Sequence, residues 1–337
     1  MKLHNIINGE QLKEDLKSSH ESRTTISFYK YANIANPPLF RDHLFYHWNN
    51  LSVLGRIYVA KEGINAQLSV PTKHLEAFKN ELDSISFLKN IRLNYAVDDD
   101  GKSFFKLVIK VRNKIVADGL NDDLFDVSSP GNYLKVEDFN KLTDQDETVL
   151  IDMRNHYESE VGHFEGAWCP DVDTFREQLP LVVDKLADKK DKPIVMYCTG
   201  GIRCEKASAY LKHKGFKDVY HLEGGIIKYA RDAEELGLKN KFIGKNFVFD
   251  ERLNERISDD IIAKCHQCGD SFDDHTNCAN KACNLLFIQC PKCASKFAGT
   301  CSEDCKSINA LPEKEQKKLR KGKDTGVRIF SKGRFKR

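Results

Sequence analysis

The 337-residue sequence has no run of about 18 apolar residues, and its N-terminus lacks the long apolar stretch and the small-residue cleavage site of a secretory signal. We therefore expect a cytoplasmic protein with no membrane partner. Hydrophobic residues still make up 40% and aromatic residues 10% of the chain, which excludes a largely disordered protein. At roughly 100–200 residues per domain, the length predicts two or three folded units.

Cysteine is absent from the first 168 residues, and its later placement is uneven. Three of the 11 cysteines are at positions 169, 198 and 204, and the other eight lie between 265 and 305. In a reducing compartment, clustered cysteines indicate a metal site or catalysis rather than disulfides. The two groups therefore predict two different kinds of chemistry.

The total charge is close to balance, with 53 Lys+Arg against 50 Asp+Glu, but its distribution is not even. Residues 313–337 contain 11 basic and three acidic side chains, a net charge of +8, which leaves the rest of the chain at −5. Such a tail fits a polyanionic partner, because neutralised phosphates release counterions. It fits a solvated, solubilising tail equally well.

The predicted N-terminal domain, residues 1–125, alternates strand-like and helix-like patterns. Period-2 or β-rich runs predict strands at 24–31, 53–60, 64–70 and 104–111, and helical spacing predicts helices at 37–51 and 71–82. This order predicts an α+β domain of the split βαβ (ferredoxin/acylphosphatase-like) kind. Aromatic and basic side chains along its strands make it a candidate for RNA binding: Phe28, Tyr29, Lys30, Tyr31, Lys110, Arg112 and Lys114.

The α/β pattern continues in the segment 126–240. Strands are predicted at 148–151, 193–197 and 219–222, with helices at 174–186 and 205–214, which indicates a parallel sheet covered on both faces. A polar linker is predicted over 241–262, a small cysteine-rich module over 263–308, and a basic tail over 309–337.

One loop of the parallel sheet carries the residues of a reactive site. An apolar strand leads into the sequence CTGGIRC at 198–204, so Cys198 lies at the carboxyl end of a parallel strand. The turn Thr199, Gly200, Gly201 and Ile202 precedes a helix and predicts an anion nest of backbone N–H groups. A thiolate there, with Arg203 beside it, should have a depressed pKa. Cys204 either resolves an oxidised Cys198 or fills the first helical turn.

The loop resembles the active loop of a rhodanese domain. The accompanying segments LIDMR at 150–154, GHFEGA at 162–167 and LEGGI at 222–226, together with Glu158, support this resemblance over about 100 residues. Asp152 and Arg154 are expected to support the loop from the neighbouring strand. Phosphatase loops have five residues between Cys and Arg, whereas four separate Cys198 from Arg203, so phosphate-ester hydrolysis is disfavoured.

The C-terminal cysteines have the spacing of metal ligands, as pairs that each supply two corners of a tetrahedral site. These eight cysteines are enough to bind two structural zinc ions with four ligands each: Cys265, Cys268, Cys278, Cys283, Cys290, Cys293, Cys301 and Cys305. A cross-braced pairing (265, 268, 290, 293 with 278, 283, 301, 305) and a sequential pairing are both possible.

The complete set of motifs resembles the bacterial rhodanese-domain family of tRNA uridine 5-hydroxylases, over residues 24 to about 306. It comprises VAKEGINA at 59–66, DDDGKSF at 98–104, DMRNHY at 152–157, CTGGIRC at 198–204, KNFVFDE at 245–251 and CHQC at 265–268. The resemblance implies an oxidoreductase that converts the wobble uridine of tRNA to 5-hydroxyuridine, with molecular oxygen as co-substrate and the anticodon loop as partner. No nucleotide-cofactor fingerprint is evident.

Two alternatives from other functional classes remain at this stage. The chain could be a persulfide-carrying sulfurtransferase in tRNA thiolation, or a zinc-dependent RNA-binding adaptor with an inert rhodanese domain. The intact loop around Cys198 disfavours the adaptor, and the sequence also leaves open the electron source and the tRNAs selected. Catalytic roles are predicted for Cys198, Arg203 and Cys204.

Overall fold

A computed structural model describes residues 7–120, 125, 127 and 129–321. Residues 121–124, 126 and 128, near the predicted boundary between the first two domains, and the last part of the basic tail, 322–337, lie outside these described residues. Within them, no helix combines the length and the apolar character that a membrane crossing requires.

The N-terminal part is a five-stranded sheet with its second and third helices packed on one face. Its elements in chain order are α1 (Gly9–Ser18), β1 (Arg23–Tyr31), α2 (Pro37–Asn50), β2 (Leu54–Ala60), β3 (Gly63–Pro71), α3 (Leu75–Ser84), β4 (Asn94–Tyr95) and β5 (Leu107–Val111). Two 3₁₀ turns, Thr72–His74 and Ser86–Leu88, flank α3. The strand order is β4-β1-β3-β2-β5. Its first four members have the order of the predicted split βαβ fold, which is confirmed.

Alternation along the strands decides which face of this sheet is apolar. Ile57 and Leu68 point towards Trp48 of α2 and Phe78 of α3 in one buried cluster. The strand predicted at 104–111 does not close the split βαβ unit. The closing strand is the two-residue β4, which is too short to produce an alternating pattern, and β5 is added in parallel beside β2.

The middle part is the parallel sheet that the sequence predicted. Its elements are β6 (Asn132–Leu134), α4 (Val136–Thr143), β7 (Val149–Asp152), α5 (His156–Ser159), β8 (Gly162–Phe164), α6 (Phe175–Lys185), β9 (Ile194–Tyr197), α7 (Ile202–His213), β10 (Val219–Leu222) and α8 (Gly225–Glu235). The strands β6-β10-β9-β7 are all parallel. Helices α6 and α7 pack on one face, and α4 and α8 on the other.

Two strands occupy the segment 241–262 that its polar composition assigned to a linker. β11 (Phe242–Phe247) and β12 (Asn254–Arg256) form an antiparallel sheet with β8, in the order β12-β11-β8. Several of the polar side chains in these strands are buried, including Asn246 and Glu255. A hydropathy pattern therefore cannot reveal them, because their burial depends on polar partners.

The cysteine-rich module follows and has few regular elements. These are β13 (His275–Asn277), β14 (Leu286–Ile288), α9 (Pro291–Phe297) and α10 (Glu303–Asn309). The beginning of the basic tail forms a further helix, α11 (Glu313–Arg320), none of whose side chains is buried.

Candidate functional site

The predicted reactive loop lies where β9 ends at the carboxyl edge of the parallel sheet. Cys198 follows Tyr197 directly, and Gly201 caps α7 with a φ of 105°, a conformation that favours glycine. The backbone therefore turns from strand to helix within four residues. This tight turn brings loop N–H groups around the Cys198 sulfur.

Cys198 is buried, and its surroundings lower the pKa of its thiol. The N–H of Gly201 donates a hydrogen bond to its Sγ over 3.2 Å. Burial alone would raise the pKa of this thiol, but the Cys204 thiol, the Arg203 charge and the N–H groups of Cys204 and Gly201 lower it to about 5. Cys198 is thus a thiolate at neutral pH.

Cys204 has the opposite protonation state. It is fully buried, and both this burial and the neighbouring Cys198 thiolate raise its pKa well above that of a free thiol. The proton of the pair therefore resides on Cys204, which donates to Cys198. The sequence identified both residues but could not assign the proton.

Arg203 is held by a partner to which the sequence analysis gave no role. Its Nη1 and Nη2 donate to the two carboxylate oxygens of Glu158 over 2.6 and 2.8 Å, and Glu158 is fully buried. A weaker contact of 3.4 Å joins Nη2 to Thr199 Oγ1. The bidentate pair fixes the guanidinium next to Cys198. Glu158 is one of the features that support the rhodanese resemblance, but it lies 45 positions away in sequence, so the motif did not predict its pairing with Arg203.

Asp152 and Arg154 form a second buried ion pair at the end of β7. Arg154 Nη2 donates to Asp152 Oδ2 and to the carbonyl of Gly162, each over 2.6 Å. The N–H of Met153 donates to the carbonyl of Tyr197, just before Cys198, over 2.8 Å. This pair therefore fixes the strand end and β8, while the expected support of the loop passes through the backbone.

The segment LEGGI forms the back of the loop. Ile226 and Ile227 donate backbone hydrogen bonds to the carbonyls of Cys198 and Thr199 over 3.0 and 3.2 Å. Gly225 has a φ of 66°, and a Cβ placed on it would lie 2.4 Å from the Cys198 carbonyl oxygen. Only glycine lets α8 begin this close to the loop.

The N-terminal sheet contacts the same loop through polar groups. Asn94 donates to the carbonyl of Gly200 over 3.3 Å, and the Tyr29 hydroxyl donates to Glu205 over 2.7 Å. The sequence pattern predicts RNA binding by the aromatic run around Tyr29, but it contains no signal for these contacts with the loop. Phe28, from the same run, is buried in the core under the helices.

A buried ion network also joins the two parts. Lys206 of α7 lies 2.7 Å from a Glu62 carboxylate oxygen and 2.6 Å from one of Asp118. Lys206 is completely buried and Asp118 nearly so, and Lys114 also pairs with Asp118. Lys114 is therefore part of this network, while Lys110 and Arg112 are exposed on β5 and just after it.

A cavity of about 390 Å³, here the Cys198 cavity, lies between the N-terminal part, the parallel-sheet part and the segment that follows β11. The N-terminal sheet contributes the face opposite its helices, and the segment after β11 contributes the third wall. Its lining includes Arg56, Tyr58, Asn65, Gln67, Asn94, Cys198, Thr199, Arg203, Phe249, Arg252 and Glu255. Its volume lies within the roughly 300–1,000 Å³ of small-molecule sites, and its thiolate faces a site large enough for a nucleoside.

The eight C-terminal cysteines form two clusters that could each hold a metal ion. Cys265, Cys268, Cys290 and Cys293 make one, and Cys278, Cys283, Cys301 and Cys305 make the other, with ligand atoms within 4.8 Å of one another in each. Of the two possible pairings of the cysteines, the structure therefore has the cross-braced one. Neither His266 nor His275 belongs to a cluster of described ligands; His266 binds Glu160 over 2.8 Å.

The structure also brings together a third group of potential ligands. His43 and His47, one turn apart on α2, lie 3.6 and 3.3 Å from Oε1 of Glu81 on α3. Sequence spacing does not single out this cluster, because its carboxylate comes from another helix. The cluster lies on the helix face of the sheet, away from the Cys198 cavity.

Three known families match successive parts of the chain. The UPF0176 acylphosphatase like domain matches residues 23–115, the Rhodanese-like domain 135–232 and the Rhodanase C-terminal family 243–306. Among solved structures, a Rhodopseudomonas palustris protein of unknown function, described as a possible tyrosine phosphatase, is 29% identical and covers 32% of this chain and 85% of its own, with a TM-score of 0.28.

Two curated relatives match almost the entire chain. A Photorhabdus laumondii protein named tRNA uridine(34) hydroxylase is 60% identical over 335 residues, which cover 99% of this chain and 95% of that protein. A protein of the same name from Escherichia fergusonii is 58% identical over 333 residues, covering 98% and 95%. These matches confirm the resemblance found in the motifs: the chain belongs to the tRNA uridine(34) hydroxylase family.

Proposed function

We propose that this chain hydroxylates C5 of the wobble uridine, position 34, in the anticodon loop of tRNA, with Cys198 as the nucleophile. The observation that carries the proposal is a cysteine with a lowered pKa, and therefore a thiolate, at a cavity large enough for a nucleoside. Its relatives' name supplies the substrate class. The anticodon loop is single-stranded, so its bases are open to recognition at their edges and faces.

The residues of the loop have separate roles in this reaction. Uridine C5 is a poor nucleophile until a group adds to C6, and the Cys198 thiolate makes that bond. The electron pair of the C5=C6 bond then forms an enolate whose negative charge spreads from C5 to O4. Arg203, held by Glu158, and the loop N–H groups stabilise anionic charge close to Cys198.

Oxygen and an external thiol reductant complete the balance. The enolate carbon C5 bonds to dioxygen and becomes a hydroperoxide after protonation. Two thiol groups then break the O–O bond, forming a disulfide and releasing one oxygen as water. Loss of the C5 proton expels Cys198 from C6 and restores the double bond, so uridine, dioxygen and two thiols give 5-hydroxyuridine, water and a disulfide.

Zinc is the metal that we propose for the two four-cysteine clusters. Sulfur–sulfur distances of 3.6 Å for Cys268–Cys290, 3.5 Å for Cys283–Cys301 and 3.7 Å for Cys301–Cys305 support it. Tetrahedral zinc with Zn–S bonds of about 2.3 Å requires about 3.8 Å. With four thiolates each, both sites are closed, so the ions would stabilise the fold rather than take part in hydroxylation.

Nucleoside mass spectrometry on tRNA from cells lacking this gene tests the function. We expect 5-hydroxyuridine-type nucleosides to be lost, to return with the wild-type gene, and to stay absent with Cys198→Ala. Growth under ¹⁸O₂ should place the heavy isotope in the 5-hydroxyl group. Unchanged 5-hydroxyuridine together with a fall in 2-thiouridine derivatives would instead establish sulfur transfer as the activity.

A further inference from the structure

A second cavity lies next to the Cys198 cavity, and it exists because β4 is short. β4 pairs only with Ile26 and Ser27 of β1, although β1 continues to Tyr31. Beside the remaining edge of β1 is a polar cavity of about 240 Å³, here the edge cavity. Its lining includes Lys30, Tyr31, Lys89, Arg92, Asn94 and Tyr133.

The two cavities share a wall. Phe28, Tyr29 and Asn94 line both of them. Asn94 is buried; its Nδ2 donates to the Gly200 carbonyl, while its Oδ1 has no hydrogen-bond partner among the described residues. Asn94 therefore forms part of the wall between the two cavities and anchors the Gly200 carbonyl there.

Positive charge dominates the edge cavity. Lys30, Lys89 and Arg92 face it, and two carboxylates lie near them. Glu205 accepts a hydrogen bond from the Tyr29 hydroxyl, and Glu223 lies 3.8 Å from Arg92 and 3.7 Å from Lys228. Among the described residues, Arg92 therefore has only a loose ion pair and keeps donors for a further anion.

Tyr133 adds an aromatic surface at the same place. Its ring packs against His221 at a centroid distance of 4.3 Å, yet 45% of the residue remains exposed. A held, exposed ring next to cationic side chains is suited to stacking a nucleotide base while its phosphate meets the cations.

We propose that the edge cavity binds the nucleotide adjacent to the target uridine. Its phosphate contacts Arg92, with Lys30 and Lys89 beside it, and its base stacks on Tyr133. This inference rests on the proposed function, because it assumes that a uridine occupies the Cys198 cavity.

Binding of an anticodon stem-loop RNA to the full chain tests the edge cavity directly. We expect Arg92→Ala to weaken binding and raise KM about tenfold while kcat stays within about twofold, because Arg92 positions the RNA and does not touch the reacting base. The slope of log K against log salt should become shallower by about 0.7 for each lost phosphate contact. Arg92→Lys should restore most of the slope.

Lys73→Ala is the matched control, because Lys73 is an exposed lysine of the same domain outside both cavities. It should leave the slope unchanged. If Arg92→Ala and a Lys30→Ala/Lys89→Ala variant melt normally and keep the wild-type slope, the edge cavity does not hold phosphate, even when the wild type hydroxylates tRNA. A wild type that binds with the expected slope and yet forms no 5-hydroxyuridine contradicts the proposed function instead.

Discussion

The two thiols of the active loop hold one proton between them, and their surroundings decide where it stays. Cys198 receives the N–H of Gly201, the charge of Arg203 and the thiol of Cys204, whereas Cys204 faces an anion. Hydrogen bonds and a positive charge thus outweigh the cost of burying the Cys198 thiolate. Reactivity at this site therefore depends on its neighbours more than on the cysteine itself.

Alkylation by iodoacetamide measures this effect on Cys198. Because its pKa is lowered to about 5, the modification rate should be half-maximal near pH 5 and level off above it. Cys204→Ala removes a hydrogen-bond donor and should move the midpoint upward, whereas Cys204→Ser keeps a donor and should move it less. Peptide mass spectrometry provides the readout for each cysteine.

Cys169 is the internal reference for this measurement. It belongs to neither metal cluster, and burial raises its pKa to about 12, so it should stay unmodified at pH 7. A midpoint for Cys198 near the ordinary thiol value of about 8.5 would contradict the proposed stabilisation of the thiolate.

Sequence motifs identified the residues of the loop, and Glu158 among the supporting features, but not which side chains form pairs. Cys198, Arg203 and Cys204 lie within seven positions, so one short motif contains them. Glu158 and Asn94 reach the loop from 45 and 106 positions away. Such contacts depend on how the elements pack, and a single sequence contains no local signal for that.

At the scale of elements, the loop is kept in place by the start of α8. Gly225 approaches the carbonyls of Cys198 and Thr199 so closely that a methyl group cannot fit. The backbone N–H groups that follow it donate to those carbonyls. The helix and the loop therefore act as one unit, and a change in the helix should alter the thiolate.

Gly225→Ala should lower the free energy of unfolding by about 1–3 kcal/mol, because it combines an unfavourable φ with a clash against backbone. It should also raise the pKa of Cys198 in the alkylation assay. Gly237→Ala is the matched control, since Gly237 has a φ of 61° but no atom within 4 Å of the position that an added methyl group would take. Urea unfolding of both variants gives the comparison, and equal losses would show that the close approach is unimportant.

Element prediction succeeded where a pattern repeats and failed where it does not. β1 has nine residues and β3 another nine, enough for alternation to show. β4 has only two residues, and β11 and β12 bury polar side chains. In both failures, the strand is stabilised by what lies beside it rather than by its own hydrophobicity.

At the scale of the whole molecule, buried or half-buried polar pairs join the N-terminal part, the parallel-sheet part and the cysteine-rich module. An apolar cluster that includes Tyr157, Phe247 and Ile288 also joins the last two. Lys206 with Glu62 and Asp118 joins the N-terminal part to the parallel sheet. The cysteine-rich module is attached through His266 to Glu160 and through Asp273 to Lys245 of β11. Because β11 leads directly to Phe249 in the Cys198 cavity, the module supports one wall of this cavity from outside.

The pairing of the metal ligands can be tested by counting zinc ions in double variants of the full chain. In the cross-braced arrangement, Cys265→Ser/Cys293→Ser damages one site and should lose one ion per chain, whereas Cys265→Ser/Cys278→Ser damages both sites and should lose two. A sequential pairing predicts the reverse: two ions lost from Cys265→Ser/Cys293→Ser and one from Cys265→Ser/Cys278→Ser. Cys169→Ser is the control and should lose no zinc ion.

Zinc loss should also lower the melting temperature, because closed four-cysteine sites contribute directly to folding. The fall should be larger when both sites are damaged, because two closed clusters are then lost instead of one. Inductively coupled plasma mass spectrometry gives the metal content, and calorimetry gives the melting temperature of the same samples. If the double variants keep the zinc content and melting temperature of the wild type, the clusters are not the structural zinc sites proposed here.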